Sequence, residues 1–419
     1  MTQESLTEKL AKHLMRPVDE ATRQRARLHL LDWLGCVAGA LGSDLAKLQA
    51  NYDESNIVSK AAWLANILEM DDIHRSSILH PGPAVWSTLM VGGNYAMGDT
   101  LDAAVKGYEA TIAIGSTFDD HHYRFYHNTS TAGQFGAAAA VSWLYGSEVE
   151  NTVSALGLAG SVSSGLWQMR HEDCDAKQWH IERIVSSGGS AGFYAAHGVV
   201  GPRFILEGPQ GLYAATCKNP KPMTFPDQWR VHEVSFKPWG ACRHAHPAID
   251  AALQLKSKLG SLDGDISVET YADAITFCNR PDPETVNDAK FSIQHAVAIV
   301  ADKDVPALAD FEPDSIAKFA AARSRVAVKE VSEITNRYPE HYGARMICGG
   351  ESVELVDTLG DPERPMSEEQ IRAAVEAEAQ KLLYEAENVL SDEARFGLFR
   401  RKLLDKVEGI VAASVKPME

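Results

Sequence analysis

The sequence lacks any cluster of cysteines. Its six cysteines, at positions 36, 174, 217, 242, 278 and 348, are spread along 419 residues, and none of them form a C-x-x-C pair. Zinc ribbons, thioredoxin-like redox sites and iron–sulfur runs depend on such spacing, so all three are disfavoured. We expect these cysteines to be buried free thiols. A function that depends on an iron–sulfur cluster is not expected, and we predict no cofactor.

Long apolar runs and an excess of positive charge are also missing. No stretch is long enough to span a membrane, and residues 1–6 show neither the basic nor the apolar part of a secretion signal. We therefore expect a cytoplasmic location and no membrane partner. The chain has 57 acidic and 40 basic residues, for a net charge of −17. Binding of nucleic acid through bulk electrostatics is not expected, and an anionic substrate would need a local cationic pocket.

Length and patterning predict two domains, because 419 residues exceed one ordinary core. Apolar residues recur at helical spacing over residues 19–42, and segments rich in small residues at 132–146, 154–165 and 186–198 indicate interior helices. Strand-like alternation begins at 231–236. It recurs, mixed with helices, at 266–277, 326–331, 343–347 and 352–359. After a break at 360–365, Ser367 and Gln370 predict a capping box that opens a last helical segment.

The predicted fold is therefore mostly α. We expect a large all-α helical domain formed by residues 1–235 and 366–419. A smaller α+β domain over residues 236–365 is inserted before the C-terminal helices.

Four polar clusters interrupt the predicted helices, at residues 69–83, 121–129, 175–180 and 237–247. Each contains histidine together with arginine or lysine. Taken singly, each has a simpler explanation: Asp71-Asp72 as a helix cap, Lys177 as a solvated lysine, and His121-His122 as a surface pair. Taken together, converging histidine, lysine and arginine side chains are what a pocket for a multiply charged acid requires.

A metal site is the alternative use of the first cluster. Asp71, Asp72, His74 and His80 offer oxygen and nitrogen ligands. The sequence contains neither H-x-x-x-H nor H-E-x-x-H, which are the helical spacings typical of such sites. We predict no metal, and a metal-dependent hydrolase stays an alternative enzyme class.

The order and spacing of these clusters resemble the MmgE/PrpD family. That family includes 2-methylcitrate dehydratases, cis-aconitate decarboxylases and iminodisuccinate epimerase. The resemblance runs, in order, through Asp71-Asp72, His80-Pro81-Gly82, Gly107-Tyr108-Glu109, His127-Asn128-Thr129, Gly136-Ala137-Ala138, residues 156–160, Lys177 to His180, Gly201-Pro202, Leu206-Glu207-Gly208 and Lys237-Pro238 to Asp250. Residues 68–75 and 122–129 are more similar to the iminodisuccinate-epimerase branch than to the methylcitrate branch.

The resemblance implies a helical domain with a smaller α+β lid, an active site at their junction, and a homodimer. Its active-site positions correspond to Asp71, Asp72, His80, His127 and Lys177, which we predict to be catalytic. His244 and His246 are further candidates. The predicted substrate-binding residues are Arg75, His74, Arg124, His122, His180, Arg243, His244 and His246.

The predicted chemistry is abstraction of a proton next to a carboxylate of a small di- or tricarboxylic acid, in a dehydratase-like lyase. Such a carbon acid is weak, so it needs a positioned base and stabilisation of the developing charge. Lys177, His80 and His127 are the candidate bases, the arginines would bind carboxylates, and Asp71 or Asp72 would orient a histidine. Epimerisation of an iminodisuccinate-like acid and decarboxylation of a cis-aconitate-like acid stay open. A non-catalytic helical protein with structural histidines is the alternative outside enzymes.

Overall fold

The structure, a computed structural model, describes residues 4–40, 43, 57–90, 95–172 and 174–374. Within these residues the chain forms two compact units. The larger unit comprises the described part of Met1–Ile67 together with that of Asp71–Val234, and the smaller unit comprises Leu68–Met70 and Ser235–Ala374. The prediction of a mostly α fold is confirmed. That the smaller unit acts as a lid stays a prediction.

Helices joined by loops build the described part of the larger unit, which contains no named strand. Its α-helices, numbered along the described chain, are α1 (Leu6–Leu14), α2 (Glu20–Ala40), α3 (Ile57–Leu64), α4 (Pro81–Leu89), α5 (Met97–Gly115), α6 (Asp120–Phe125), α7 (Asn128–Leu144), α8 (Val149–Ser161), α9 (Ala176–Ala196) and α10 (Leu212–Thr216). Two short 3-10 helices complete this unit: Trp167–Arg170 lies between α8 and α9, and Arg230–Glu233 follows α10.

Helix α7 is the centre of the larger unit. It packs against α4, α5, α8 and α9, and its residues from Asn128 to Ser142 are all buried. Glycines on α9 permit the close approach: a Cβ atom at Gly188 would lie 2.6 Å from the carbonyl oxygen of Gln134. Because a side chain there would force the helices apart, the segments rich in small residues form interior helices, as their composition predicts.

The smaller unit combines helices with a four-stranded mixed sheet. Its elements are α11 (His246–Leu259), β1 (Ile266–Thr270), α12 (Ala272–Cys278), α13 (Val286–Lys290), α14 (Ile293–Asp302), α15 (Pro313–Lys318), α16 (Ala320–Arg323), β2 (Val326–Glu330), α17 (Ser332–Thr335), β3 (Ala344–Cys348), β4 (Glu351–Leu355) and α18 (Glu368–Ala373). The strand order is β2-β1-β3-β4, with β1 parallel to β2 and antiparallel to β3.

A tight hairpin joins β3 to β4. Cys348 pairs with Glu351 across the antiparallel ladder, so only Gly349 and Gly350 form the loop. Both have positive φ, at 59° and 80°, which is the backbone geometry that a two-residue hairpin turn requires and that glycine adopts without strain. Buried α11 and α14 contribute apolar side chains to the core of this unit.

Three of the predicted strands are wrong or too long. The predicted strand over 352–359 ends at Leu355. Residues 231–236 are not a strand, because Arg230–Glu233 forms a 3-10 helix whose register buries Val231 and, just beyond it, Val234. The predicted strand over 266–277 ends at Thr270, and helix α12 follows it. Ala274 and Cys278 are buried from that helix, so one helical turn, not alternation, sets their spacing.

The capping box before the last described helix is confirmed. The Gln370 amide donates to Ser367 Oγ at 3.2 Å, and the Ser367 amide donates to Gln370 Oε1 at 2.9 Å. Helix α18 follows, within the smaller unit. The predicted helical segment over 366–419 falls mainly on residues 375–419, which lie outside the described residues. In the part of the chain that is described, no helix is both long and apolar enough to cross a membrane.

Candidate active site

The site begins where α4 and α7 start. His80 is the N-cap residue of α4 and His127 the N-cap residue of α7, and neither ring bonds to the amides of its own helix. The two starts are joined because the His80 amide donates to Thr129 Oγ1 at 3.0 Å. The backbone at the two helix starts therefore fixes the positions of both residues. Their imidazole rings are available for contacts outside their own helices. His127 is almost completely buried.

Asp71 lies against His80. Its Oδ2 accepts from the Asn66 side-chain amide at 2.6 Å and lies 2.9 Å from His80 Nδ1. The same Nδ1 lies 2.9 Å from the carbonyl oxygen of Asp72. Because both neighbours of Nδ1 are acceptors, the proton of a neutral His80 ring is on Nδ1, and Nε2 is left as the basic nitrogen. This is the orienting role that the sequence suggested for one of the two aspartates.

Asp72 anchors the loop that carries these residues. Its Oδ2 accepts from His29 Nδ1 at 2.8 Å and from the Tyr108 hydroxyl at 2.6 Å, and its Oδ1 accepts from the Gly82 amide at 2.8 Å. Burial, followed by the nearby Asp72 carboxylate, raises the pKa of Tyr108 well above its usual value, so the phenol stays a donor. Asp72 thus contacts His80 through its backbone carbonyl, and its carboxylate binds α2, α4 and α5.

His127 is surrounded by groups that disfavour its protonation. Its Nδ1 lies 3.1 Å from Nδ1 of His180. Burial, then the neighbouring His180, Lys177, His80 and Arg170, holds the pKa of His127 well below its usual value. The His127 imidazole is therefore neutral near neutral pH and has a lone pair that can accept a proton. The predicted catalytic residues His80, His127 and Lys177 are therefore brought together.

Lys177 and His180 both lie near the start of α9. They are three positions apart, so they lie on one face of the helix, and both are half-buried. Burial also lowers the pKa of His180. The sequence assigned His180 to substrate binding, and the structure places its ring directly against His127.

A short segment outside the four sequence clusters completes the site. Gly165 has φ of +119°, which favours glycine, and its carbonyl oxygen accepts from the His127 amide at 2.9 Å. The 3-10 helix that follows places the Trp167 ring 4.5 Å from the His127 ring, between ring centres. The Arg170 guanidinium lies 4.1 Å from the Trp167 ring centre and 4.6 Å from that of Tyr123. Aromatic rings thus hold the arginine beside the histidines.

His74 and His122 are fully buried in a hydrogen-bonded chain. His74 Nδ1 lies 2.7 Å from Ser77 Oγ, and Nε2 lies 3.1 Å from Glu233 Oε2. His122 Nδ1 lies 3.1 Å from Asn128 Oδ1, and its ring stacks on Phe118 with centres 3.7 Å apart. Burial lowers the pKa of both rings, for His122 to about 4. These contacts stabilise the larger unit, and the substrate-binding role predicted for both histidines stays a prediction.

The two arginines of the same clusters differ in exposure. Arg75 is buried, beside His74 in the loop before α4. Arg124 is exposed on α6, and its guanidinium lies 5.5 Å from the ring centre of Phe125, which is itself exposed. The predicted substrate binding by Arg124 has no support in these contacts.

Arg243, His244 and His246 belong to the interior of the smaller unit. Arg243 forms a buried ion pair with Asp361 at 2.5 Å, and His246 Nε2 lies 3.0 Å from a carbonyl oxygen, that of Ala241. His244 Nδ1 lies 2.7 Å from the hydroxyl of Tyr271, and its ring stacks on those of Phe277 and Tyr342. Their contacts stabilise this unit, and their substrate-binding role stays a prediction.

A possible cation position lies apart from the histidine cluster. Among the described residues, His341, Asp357 and Glu363 of the smaller unit offer ligand atoms that lie within 4.8 Å of one another. His341 Nδ1 already lies 2.8 Å from Asp357 Oδ1. None of the three belongs to the four clusters of the sequence analysis.

Sequence comparison identifies the family of the chain. The MmgE/PrpD N-terminal domain matches residues 58–224, and the MmgE/PrpD C-terminal domain matches residues 239–394. The chain belongs to the MmgE/PrpD family. The N-terminal domain match contains His80, His127, Arg170, Lys177 and His180, so the whole cluster lies in one domain of the family.

Two curated relatives have related names. The cis-aconitate decarboxylase-like protein oryM of Aspergillus oryzae is 28% identical over 222 residues, which are 45% of this chain and 43% of that protein. The cis-aconitate decarboxylase of Mus musculus is 26% identical over 183 residues, which are 41% of this chain and 37% of that protein. Each match spans less than half of the relative's length. Neither name mentions an epimerase, so the epimerase branch stays a prediction.

Proposed function

We propose that this chain is a cofactor-free lyase of the MmgE/PrpD type that acts on a small di- or tricarboxylic acid, at a carbon next to a carboxylate. The observation that carries the proposal is the cluster of His80, His127, Arg170, Lys177 and His180 in the larger unit. A chain with net charge −17 has a local group of basic side chains there. Such a local group is what an anionic substrate needs against a repulsive long-range field.

The roles follow from the environment of each side chain. His127 is neutral near pH 7 because its pKa is lowered, so it can accept the α-proton. Arg170 presents a planar fork of N–H donors that matches a carboxylate, and Trp167 and Tyr123 fix its plane. Lys177 supplies either a second base or the positive charge that stabilises the enediolate-like intermediate.

The group next to the carbanion decides the product. A β-hydroxyl leaves as water after protonation, which gives dehydration, and an acid without a leaving group is reprotonated, which gives epimerisation. In a cis-aconitate-like acid, a carboxylate leaves as CO₂. Its bonding electron pair then moves along the adjacent double bond, and a histidine protonates the far carbon. The names of the two relatives support decarboxylation as the first reaction to test.

The test is turnover on a panel of acids. Citrate, methylcitrate, cis-aconitate and aspartate-derived dicarboxylates are incubated in D₂O, and deuterium next to a carboxylate and CO₂ release are measured by NMR. With the best acid, His127→Ala and Lys177→Ala should each lower kcat by at least ~100-fold, the scale of a lost acid–base group. His197→Ala, at the exposed C-cap of α9, is the matched control and should retain activity.

Several outcomes would contradict the proposal. A near-wild-type kcat in both variants would show that His127 and Lys177 do not form the catalytic site. No exchange, no turnover and no rise in Tm with any acid would favour a non-catalytic helical protein, since a ligand of the native state must raise Tm. Activity that disappears after chelation would favour a metal-dependent enzyme.

We also propose that the chain works as a homodimer, a proposal that rests on the family resemblance. Light scattering behind a sizing column measures the mass directly. A dimer has twice the 45.7 kDa of one chain, and a mass of one chain at micromolar concentration would contradict the proposal.

A further inference from the structure

The rings of His127 and His180 face each other through the same type of nitrogen. Their Nδ1 atoms are 3.1 Å apart, which is hydrogen-bonding distance. A hydrogen bond between two imidazole nitrogens needs one donor and one acceptor, so one Nδ1 carries a proton and the other does not.

This arrangement fixes the tautomer of both rings. In the ring that donates from Nδ1, the neutral form leaves Nε2 as a basic lone pair. In the ring that accepts at Nδ1, the neutral form carries its proton on Nε2 and can donate it. The pair therefore holds one basic and one acidic Nε2 at the same time. A lone histidine offers only one of these at a time.

The geometry points to a proton relay: a proton taken up at one Nε2 passes between the Nδ1 atoms and leaves from the Nε2 of the other ring. This inference rests on the proposed function, because the proton taken up is that of the substrate carbon. It makes His180 a part of the acid–base machinery, together with His127, in place of the substrate-binding role that the sequence suggested.

The step balances. The C–H bond of the substrate breaks, its electron pair stays on carbon, and Nε2 of the first ring binds the proton. That ring, now an imidazolium, gives its Nδ1 proton to the second ring, which then releases its own Nε2 proton to a leaving hydroxyl, to the opposite face of the carbanion or to water. Afterwards the two rings have exchanged tautomers, and passage in the reverse direction restores the starting state.

The two rings differ in solvent exposure, and this difference sets the direction in which a proton can leave the relay. His127 is 1% exposed and its ring is covered by that of Trp167, so a proton on it has no direct path to water. His180 is half-buried and keeps an accessible side. The pair thus connects a buried nitrogen to the surface through one hydrogen bond.

The surroundings favour a pair that carries one shared proton and no lasting charge. His80, from the start of α4, Arg170, from the 3-10 helix, and Lys177, from α9, all act on His127 and disfavour its cationic form. Burial disfavours the cation on His180 as well. An imidazolium is then a transient state, as a relay requires.

The experiment reads the tautomers directly. The protein is labelled with ¹⁵N-histidine, and two-bond ¹H–¹⁵N correlations at pH 7.5 distinguish rings protonated at Nδ1 from rings protonated at Nε2. His127→Phe and His180→Phe assign the two rings among the 15 histidines. We expect opposite tautomers in the wild type. The ring that donates from Nδ1 should lose its Nδ1 proton in the variant that removes its partner. Equal tautomers in the wild type, or a donor ring that keeps its Nδ1 proton without its partner, would overturn the relay.

Kinetics separate the relay from the proposed function. With an acid of the panel whose proton next to a carboxylate exchanges in D₂O, His180→Phe should lower turnover by at least ~100-fold and slow deuterium exchange relative to product formation, with a Tm near that of the wild type. Opposite tautomers in a protein that shows no turnover would support the hydrogen-bonded histidine pair and contradict the proposed lyase function. Turnover with equal tautomers would support the lyase function and contradict the relay. Turnover with an unchanged ratio of deuterium exchange to product formation in His180→Phe would do the same.

Discussion

Replacing Tyr108 by phenylalanine removes a single oxygen from the buried network around Asp72. That oxygen donates to Asp72 Oδ2 at 2.6 Å and accepts from the indole N–H of Trp86 at 3.0 Å. Asp72, Tyr108 and Trp86 are each at most 1% exposed. Water cannot enter to replace the lost contacts, and the phenyl ring fills nearly the same space, so the effect is almost purely that of two hydrogen bonds.

The expected cost follows from those two bonds. A hydrogen bond to a charged group contributes about 1.5–3 kcal/mol, and a buried donor left without an acceptor costs about 1–3 kcal/mol. Tyr108→Phe removes the hydrogen bond to the Asp72 carboxylate. It also leaves the buried indole N–H of Trp86 without an acceptor. The sum of the two effects is about 4 kcal/mol. His29 and the Gly82 amide still bind the carboxylate, so the network is weakened but not abolished.

Thermal unfolding followed by circular dichroism measures this change. At about 2–4 °C per kcal/mol for a unit of this size, Tm should fall by roughly 10 °C. Tyr194→Phe is the matched control, because that tyrosine is 54% exposed on α9 and its substitution should change stability by less than about 0.5 kcal/mol. Because Asp72 also contacts His80 through its carbonyl oxygen, kcat should fall as well.

One result would refute this reasoning. If Tyr108→Phe melts within about 2 °C of the wild type, the network contributes less than about 1 kcal/mol, and Asp72 does not depend on Tyr108. A loss equal to that of Tyr194→Phe would lead to the same conclusion.

Three further predictions concern pH, binding and packing. Because burial lowers the pKa of His122 to about 4, the unfolded chain binds a proton that the folded chain does not as pH falls from about 6.5 to about 4. Stability is therefore lost over that range, and His122→Phe should reduce its slope by about 1.4 kcal/mol per pH unit in urea titrations; an unchanged slope would contradict this. Arg170→Gln should raise KM for the best acid by ~10-fold or more, since a charge-assisted contact is lost, and an unchanged KM would remove Arg170 from substrate binding. Gly136→Ala places a Cβ atom against Thr111 and the backbone of α5 and should cost about 1–3 kcal/mol by urea unfolding. Gly98→Ala, where nothing lies within 4 Å, should be neutral or stabilising, and equal effects of the two substitutions would contradict the packing argument.

The local pattern of residue types is sufficient to predict the helices of the larger unit. Small residues at helical spacing specify how closely two helices can approach, so composition and spacing alone predict α7 and α9 as interior helices. The convergence of His127 with Lys177 and His180 has no local signal, because about fifty residues separate them in sequence. Only the family resemblance could place those side chains together.

The search for histidine clusters missed two side chains near His127, and the substrate-binding role of His244 and His246 stays a prediction. Trp167 and Arg170 lie outside the four clusters, although an aromatic residue three positions before an arginine, on a turn after Gly165, is a detectable signal. His244 and His246 were included because they belong to a polar cluster beside proline. Their partners, Tyr271, Phe277 and the backbone of residue 241, become neighbours only in the folded smaller unit.

The 3-10 helix at Trp167–Arg170 has a consequence for how this protein can change over evolution. The histidines are held at the starts of long helices, where glycines at the contacts leave no tolerance for shifts. The 3-10 helix is short, and Gln168 between its two aromatic-contact residues is exposed. On the function that we propose, substitutions at Gln168 would alter which acid is accepted without moving the starts of α4 and α7. Laboratory evolution of new substrates should therefore find its beneficial changes in this segment first.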